Sequence, residues 1–191
     1  KINVQPNYEA KYISGSNEII FKVVKSSKSN LMQIDLQQPL SIDNIFLDGN
    51  LVTNIKRERN VYWIDFENKK FNISSNGGME QAYKLLINYH GNPVIAKRPP
   101  WDGGWIFTKD AQGRPWMSVA CQGLGASVWY PCKDYQGDEP DFGASVTIKV
   151  PDSLVAVSNG KLLTNSVSNG IRQEAWTVQN PINNYNLIPY I

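Results

Sequence analysis

From Ala144 to Val150 apolar and polar residues alternate without a break: Ala144, Val146, Ile148 and Val150 fall on one side, Ser145, Thr147 and Lys149 on the other. A period of two is the pattern of a β-strand that covers a core with one face. Tyr83 to Tyr89 repeats it, with Tyr83, Leu85, Ile87 and Tyr89 set against Lys84 and Asn88, and Ile19 to Val24 and Val61 to Phe66 are similar. No segment sustains an apolar stripe at helical spacing. Asp48-Gly49, Asn159-Gly160 and Asn169-Gly170 supply residues that tolerate the positive φ of tight turns, so each predicts a reversal. Strands this closely spaced, with no helix long enough for a parallel crossover, predict an all-β fold of antiparallel sheets packed as a sandwich or saddle. The Pro- and Gly-rich stretch from Asn92 to Gly104 and the stretch from Pro131 to Phe142 read as long irregular loops, where function is often carried.

The 191 residues suit a single domain with a sizeable core, and 41% hydrophobic with 19% charged residues is a globular composition. Against 17 acidic residues stand 19 basic ones, a formal charge of +2 with no dense basic run, which argues against nucleic acid as a partner. No apolar stretch approaches the roughly 18 residues of a membrane span. The chain opens at Lys1 with no apolar signal-peptide core, which leaves a removed leader or a trimmed chain open, and the compartment with it: periplasmic or extracellular, or cytoplasmic. The tail from Asn180 to Ile191 stops inside an apolar run without a stop signal, so the natural protein is expected to continue.

Chemistry is sparse. Hydrolytic zinc needs three protein ligands, commonly two His one helical turn apart plus a carboxylate, and this chain has only His90, at the end of a predicted strand, where a surface or packing role is expected. Ser127 follows Gly123-Leu124-Gly125-Ala126, an order that fits neither the nucleophile elbow G-x-S-x-G nor a phosphate-binding loop. Those glycines predict close backbone approach or a bulge. Asp134, Asp138, Glu139 and Asp141 lack the spacing of a calcium loop and read as solvated or capping carboxylates. Cys121 and Cys132 form neither a CxxC pair nor a disulfide framework and are expected to be buried free thiols. Trp101, Trp105, Trp116, Trp129 and Tyr130 gather within thirty positions, either filling the sandwich and covering its end or offering flat rings to sugars.

Several motifs stand in order along the chain. They are Pro100-Trp101-Asp102-Gly103-Gly104-Trp105, Lys109-Asp110-Ala111-Gln112-Gly113-Arg114-Pro115-Trp116, and Ala120-Cys121-Gln122-Gly123-Leu124-Gly125-Ala126-Ser127. Pro131-Cys132-Lys133-Asp134, Asp138-Glu139-Pro140-Asp141, Val150-Pro151-Asp152-Ser153-Leu154 and Val157-Ser158-Asn159-Gly160 continue the series. Together with Tyr12-Ile13-Ser14-Gly15 near the start, this order closely resembles the N-terminal domain of bacterial zinc aminopeptidases of the aminopeptidase N and leukotriene-A hydrolase family. The resemblance implies that residues 1–191 form one N-terminal β domain, a saddle packed on a thermolysin-like catalytic domain of the same chain. That domain would carry HExxH and a downstream glutamate as ligands of the zinc cofactor, outside this sequence. Peptides would be the substrates, and this piece alone would be inactive.

The resemblance also implies a role for Gln122: it would reach the active site and hold the free amino end of the peptide, with Gly123 beside it. An amide oxygen can accept a hydrogen bond from an ammonium without itself being charged. Where the aminopeptidase N branch often reads Pro-Thr-Asp-Ala-Arg after this glutamine, Gly123-Leu124-Gly125-Ala126-Ser127 stands here, without charged supports. The alternative is a carbohydrate-binding β-sandwich module that uses the aromatic cluster.

Overall fold

The computed structural model describes residues 1–25, 29–67, 69–73 and 82–191, and these residues build three sheets around one core. The large sheet has eight strands. Its centre is β1 (Ile2–Asn7), β2 (Tyr12–Phe21) and β8 (Tyr83–Gly91), flanked on one side by β4 (Ser41–Leu47) and β5 (Asn50–Val52). On the other side lie β11 (Ala144–Pro151), β13 (Ile171–Val178) and, at the edge, β12 (Lys161–Ser168). A three-stranded sheet orders β3 (Leu31–Asp35), β7 (Val61–Asp65) and β6 (Ile55–Glu58), and β9 (Gly104–Lys109) pairs with β10 (Pro115–Ala120) as a hairpin.

The alternation read from the sequence is the alternation of burial. Val146, Ile148 and Val150 on β11, and Leu85, Ile87 and Tyr89 on β8, are buried, while Lys84 and Lys149 on the opposite face are exposed. These inward residues share a core with Ile34, Tyr62 and Ile64 of the small sheet and with Trp105, Met117 and Val119 of the hairpin. Removing such side chains from water is the main stabilising term of the fold, about 1.5–3 kcal/mol for each large one.

Two turn predictions hold in full. Asp48 and Gly49 (φ 50° and 83°) close β4 onto β5, and Asn169 and Gly170 (φ 51° and 75°) close β12 onto β13, the double positive φ of a type I′ turn. Asn159-Gly160 instead forms a bend that leads into β12, with only Gly160 at positive φ. The strand expected from Ile19 to Val24 ends at Phe21, because its partner β8 begins at Tyr83, opposite Phe21.

Among the named strands, one pairing departs from the antiparallel expectation. β1 lies parallel to β11, with Ile2 opposite Val146 and Val4 opposite Ile148. No crossover helix is needed, because the connection between these strands is residues 8–143, most of the domain. The stretches 92–103 and 131–143 are indeed loops outside the named strands.

The first loop is pinned where it enters β9. Trp105 N–H donates to the Val94 carbonyl at 2.7 Å and Ala96 N–H to the Trp105 carbonyl at 3.0 Å. Gly104, at φ 141°, has backbone where a side chain would go: a Cβ there would lie 2.5 Å from Ala96 N and 2.7 Å from Val94 O. Gly104→Ala is therefore expected to cost about 1–3 kcal/mol from backbone strain alone. Denaturant unfolding checks this, and an unchanged midpoint would refute the close approach.

Candidate functional site

After β10 the chain reverses through Gln122, Gly123 and Leu124, all exposed, between the buried Cys121 and the buried Ala126. The Cys121 carbonyl closes the turn, accepting from Leu124 N–H at 3.1 Å and Gly125 N–H at 2.8 Å. Gly123 (φ 71°) and Gly125 (φ 88°) provide the left-handed backbone that the reversal needs. Gln122 is thus not an amide buried against sheet backbone. It projects from a turn, and its Oε1 accepts a hydrogen bond from the Tyr185 hydroxyl at 2.8 Å.

Tyr185 was not singled out in the sequence. It sits in a short 3-10 turn, Asn184–Asn186, capped by Asn183, whose side-chain oxygen accepts from Tyr185 N–H at 2.9 Å. The buried Asn184 fixes this turn: its Nδ2 donates to the Lys133 carbonyl at 3.1 Å, and its oxygens accept from the Tyr130 hydroxyl at 3.3 Å. The run Asn183-Asn184-Tyr185 carried a capping signal, because a small amide side chain can satisfy the first free N–H of a helical turn.

The carboxylate loop acts as expected of capping residues. Asp134 accepts from the Ser127 hydroxyl at 2.6 Å and from Ala126 N–H at 3.2 Å. Asp138 accepts from Asn184 Nδ2 at 3.4 Å. Ser127 is 2% exposed and committed to Asp134, an arrangement for holding a loop rather than for attack on a substrate. His90 pairs through Nδ1 with Asp43 and stacks on Tyr12 with ring centroids 6.0 Å apart, the surface packing role foreseen for it.

Cys121 and Cys132 are free and buried. Desolvation, with the nearby Asp134 carboxylate adding to it, pushes the Cys121 thiol up from 9.0 to about 12 and raises Cys132 well above its ordinary value. A thiol raised on folding contributes stability that is complete below the unfolded value and is lost as pH climbs toward the folded one. Stability should therefore fall as pH rises from about 9 toward 12, by up to about 1.4 kcal/mol per unit for each thiol. Urea unfolding across that range checks the slope, and a double Cys→Ser variant with the same slope would contradict the assignment.

The aromatic cluster mostly fills the core. Trp105, Trp129 and Tyr130 are at most 1% exposed, with Trp129 packed edge-on against both Trp105 and Tyr130. Only Trp101, 79% exposed, and Trp116, 38% exposed, present area to solvent. Leu124 in the Gln122 turn and Tyr135 and Phe142 in the 131–143 loop are further exposed apolar side chains. Gly103 sits tight against the Leu124 side chain and the Gln122 carbonyl, which joins the 92–103 loop to the Gln122 turn. Among the described residues no group of three His, Cys, Asp or Glu side chains stands together to hold a metal ion. Likewise, no helix among them is long and apolar enough to cross a membrane.

No family model matches this chain, and no curated protein matches it in sequence. Solved structures do. An M1 zinc metallopeptidase from Deinococcus radiodurans superposes with a TM-score of 0.76 at 18% identity, over 99% of this chain and 40% of that one. A mutant of that enzyme bound to a Tyr-Ser-Ala substrate gives the same score, identity and coverage. Native leukotriene A4 hydrolase from Saccharomyces cerevisiae scores 0.67 at 16% identity, over 99% of this chain and 27% of that one. The chain has the fold of the N-terminal domain of these metallopeptidases, and the resemblance carried by its motifs is borne out at the level of fold. It spans about 40% of the length of the first and a smaller share of the second.

Proposed function

We propose that this chain is the non-catalytic N-terminal domain of a zinc metallo-aminopeptidase, and that its Gln122 turn borders the peptide cleft and binds the substrate's amino terminus. The observation that supports this best is the position of Gln122. On a domain whose fold matches metallopeptidases over 99% of its length, this glutamine stands exposed on a glycine turn with its amide oxygen already oriented by Tyr185. A carbonyl oxygen has two lone pairs, and the tyrosine hydroxyl occupies one. The other is free to accept from an incoming ammonium, a charge-assisted hydrogen bond stronger than a neutral one.

Gln122 would position the peptide and take no part in bond cleavage. Zinc, which polarises a scissile carbonyl and activates water, would be held by a thermolysin-like domain of the same chain. Gly123 would let the turn backbone lie close to the peptide, because a side chain there is replaced by open space. The exposed Trp101 of the 92–103 loop, Leu124 of the turn, and Tyr135 and Phe142 of the 131–143 loop suit burial against that second domain.

A peptide with a free amino terminus and its N-acetylated twin distinguish this role. Incubated with the full-length protein and followed by mass spectrometry, only the free peptide should shorten, one residue at a time. Internal cuts in both, or trimming of the acetylated one, would remove the basis for an amino-end site.

A further inference from the structure

The turn that carries Gln122 is held from two sides by one short segment, Lys133-Asp134. Asp134 N–H donates to Asp35 Oδ2 at 2.9 Å, and Asp35 is itself held by Gln33 Nε2 at 2.7 Å and by a backbone bridge to Cys132. On its other side the Asp134 carboxylate accepts the one hydrogen bond that the Ser127 hydroxyl can donate. An ionised carboxylate can only accept, so Ser127 must donate to it and can only accept from its remaining neighbour. That neighbour is Gln37, whose Nε2 lies 3.0 Å from Ser127 Oγ and 2.5 Å from the Leu124 carbonyl. The two protons of one amide group thus reach the serine and the backbone of the Gln122 turn together. Gly125 belongs to the same device, since a Cβ there would fall on the Asp134 carboxylate.

The second hold acts on the Gln122 side chain. The Lys133 carbonyl anchors Asn184, and the next residue, Tyr185, sets its hydroxyl on Gln122 Oε1. The turn's exit, at Ala126 and Ser127, and the Gln122 amide, through Asn184 and Tyr185, are therefore both tied to adjacent residues of the 131–143 loop.

We propose that Gln37, Ser127 and Asp134 are positioning residues for Gln122: their hydrogen-bond chain of fixed polarity sets the backbone of its turn at the Leu124 carbonyl and Ala126 N–H, and thereby where Gln122 presents its amide to the substrate ammonium. This rests on the role assigned to Gln122 above. Gln37 and Ser127, 9% and 2% exposed, need not touch the substrate, and the half-buried Asp134 is engaged by Ser127 and Ala126.

The test is steady-state kinetics of the full-length protein on aminoacyl-anilides with Gln37→Met and Ser127→Ala, each alone and combined with Gln122→Ala, alongside thermal unfolding. Gln37→Met keeps the side chain's length and removes its donors, so it carries the test should Ser127→Ala fail to fold. Each single variant is expected to raise KM about tenfold with kcat nearly unchanged, short of the hundredfold that a misplacement of about 1 Å can cost. In the Gln122→Ala background the same substitutions should add about twofold or less, because coupled residues are not additive. Ser127→Thr, which keeps the hydroxyl, should restore KM. A lowered Tm with unchanged KM, or KM effects that multiply in the Gln122→Ala background, would show a structural role alone and overturn the proposal. If Gln122→Ala raises KM and these variants do not, only the positioning role fails. If Gln122→Ala itself leaves KM unchanged, the amino-terminus reading fails and the positioning role with it.

Discussion

Gln122→Ala in the full-length protein is expected to lower kcat/KM for aminoacyl-anilides by about 10–100-fold, chiefly through KM. A hydrogen bond to a charged group is worth about 1.5–3 kcal/mol, and each 1.4 kcal/mol is a factor of ten. Because Gln122 is exposed and its one hydrogen-bond partner among the described residues is Tyr185, the substitution should leave Tm almost unchanged. Losing both activity and fold would assign Gln122 to structure instead. Gln122→Glu sharpens the comparison. A carboxylate would attract the ammonium more strongly than the neutral amide and should hold KM at or below the wild-type value above about pH 5, weakening as the carboxylate protonates. Activity lost equally with Ala and Glu would speak against an ammonium as the bound group.

The largest stability effect is expected at Trp129. Its ring is fully buried between Trp105, at 6.2 Å between centroids, and Tyr130, at 4.5 Å. Trp129→Ala should cost about 3–5 kcal/mol through lost transfer energy and the cavity left behind. For a domain of 191 residues that corresponds to a fall in Tm of about 10 °C. Trp129→Phe should cost much less. Its Nε1–H is buried with no hydrogen-bond partner among the described residues, so removing the indole also removes an unsatisfied donor. Equal losses for Ala and Phe, read by thermal unfolding, would mean that the indole nitrogen has a partner after all.

What the sequence disclosed and what it hid divide along a physical line. Alternation along Ala144 to Val150 and Tyr83 to Tyr89 reports which face of a strand is buried, a property local to the strand, and both read correctly. Asp48-Gly49 and Asn169-Gly170 were legible because positive φ is a local demand that few residues meet. The parallel pairing of β1 with β11 was not legible: it joins strands from the two ends of the domain, and a period of two carries no information about partners. The surroundings of Gln122 were hidden for the same reason. Tyr185 lies 63 positions from Gln122, and Gln37 lies 90 positions from Ser127. The glycines around Leu124 did foretell a close approach, but not that the approaching group would be the Asp134 carboxylate. The aromatic cluster shows the opposite limit, since composition alone could not separate the buried Trp105 and Trp129 from the exposed Trp101.

The measurement that bears most directly on the central claim is the metal content of the natural full-length protein, taken together with release of amino-terminal residues before and after chelation. The account predicts about one zinc per chain, as in catalytic sites with three protein ligands and an open position, with activity lost on chelation and regained when zinc is returned. A full-length protein that binds no zinc and releases no amino-terminal residue would contradict it.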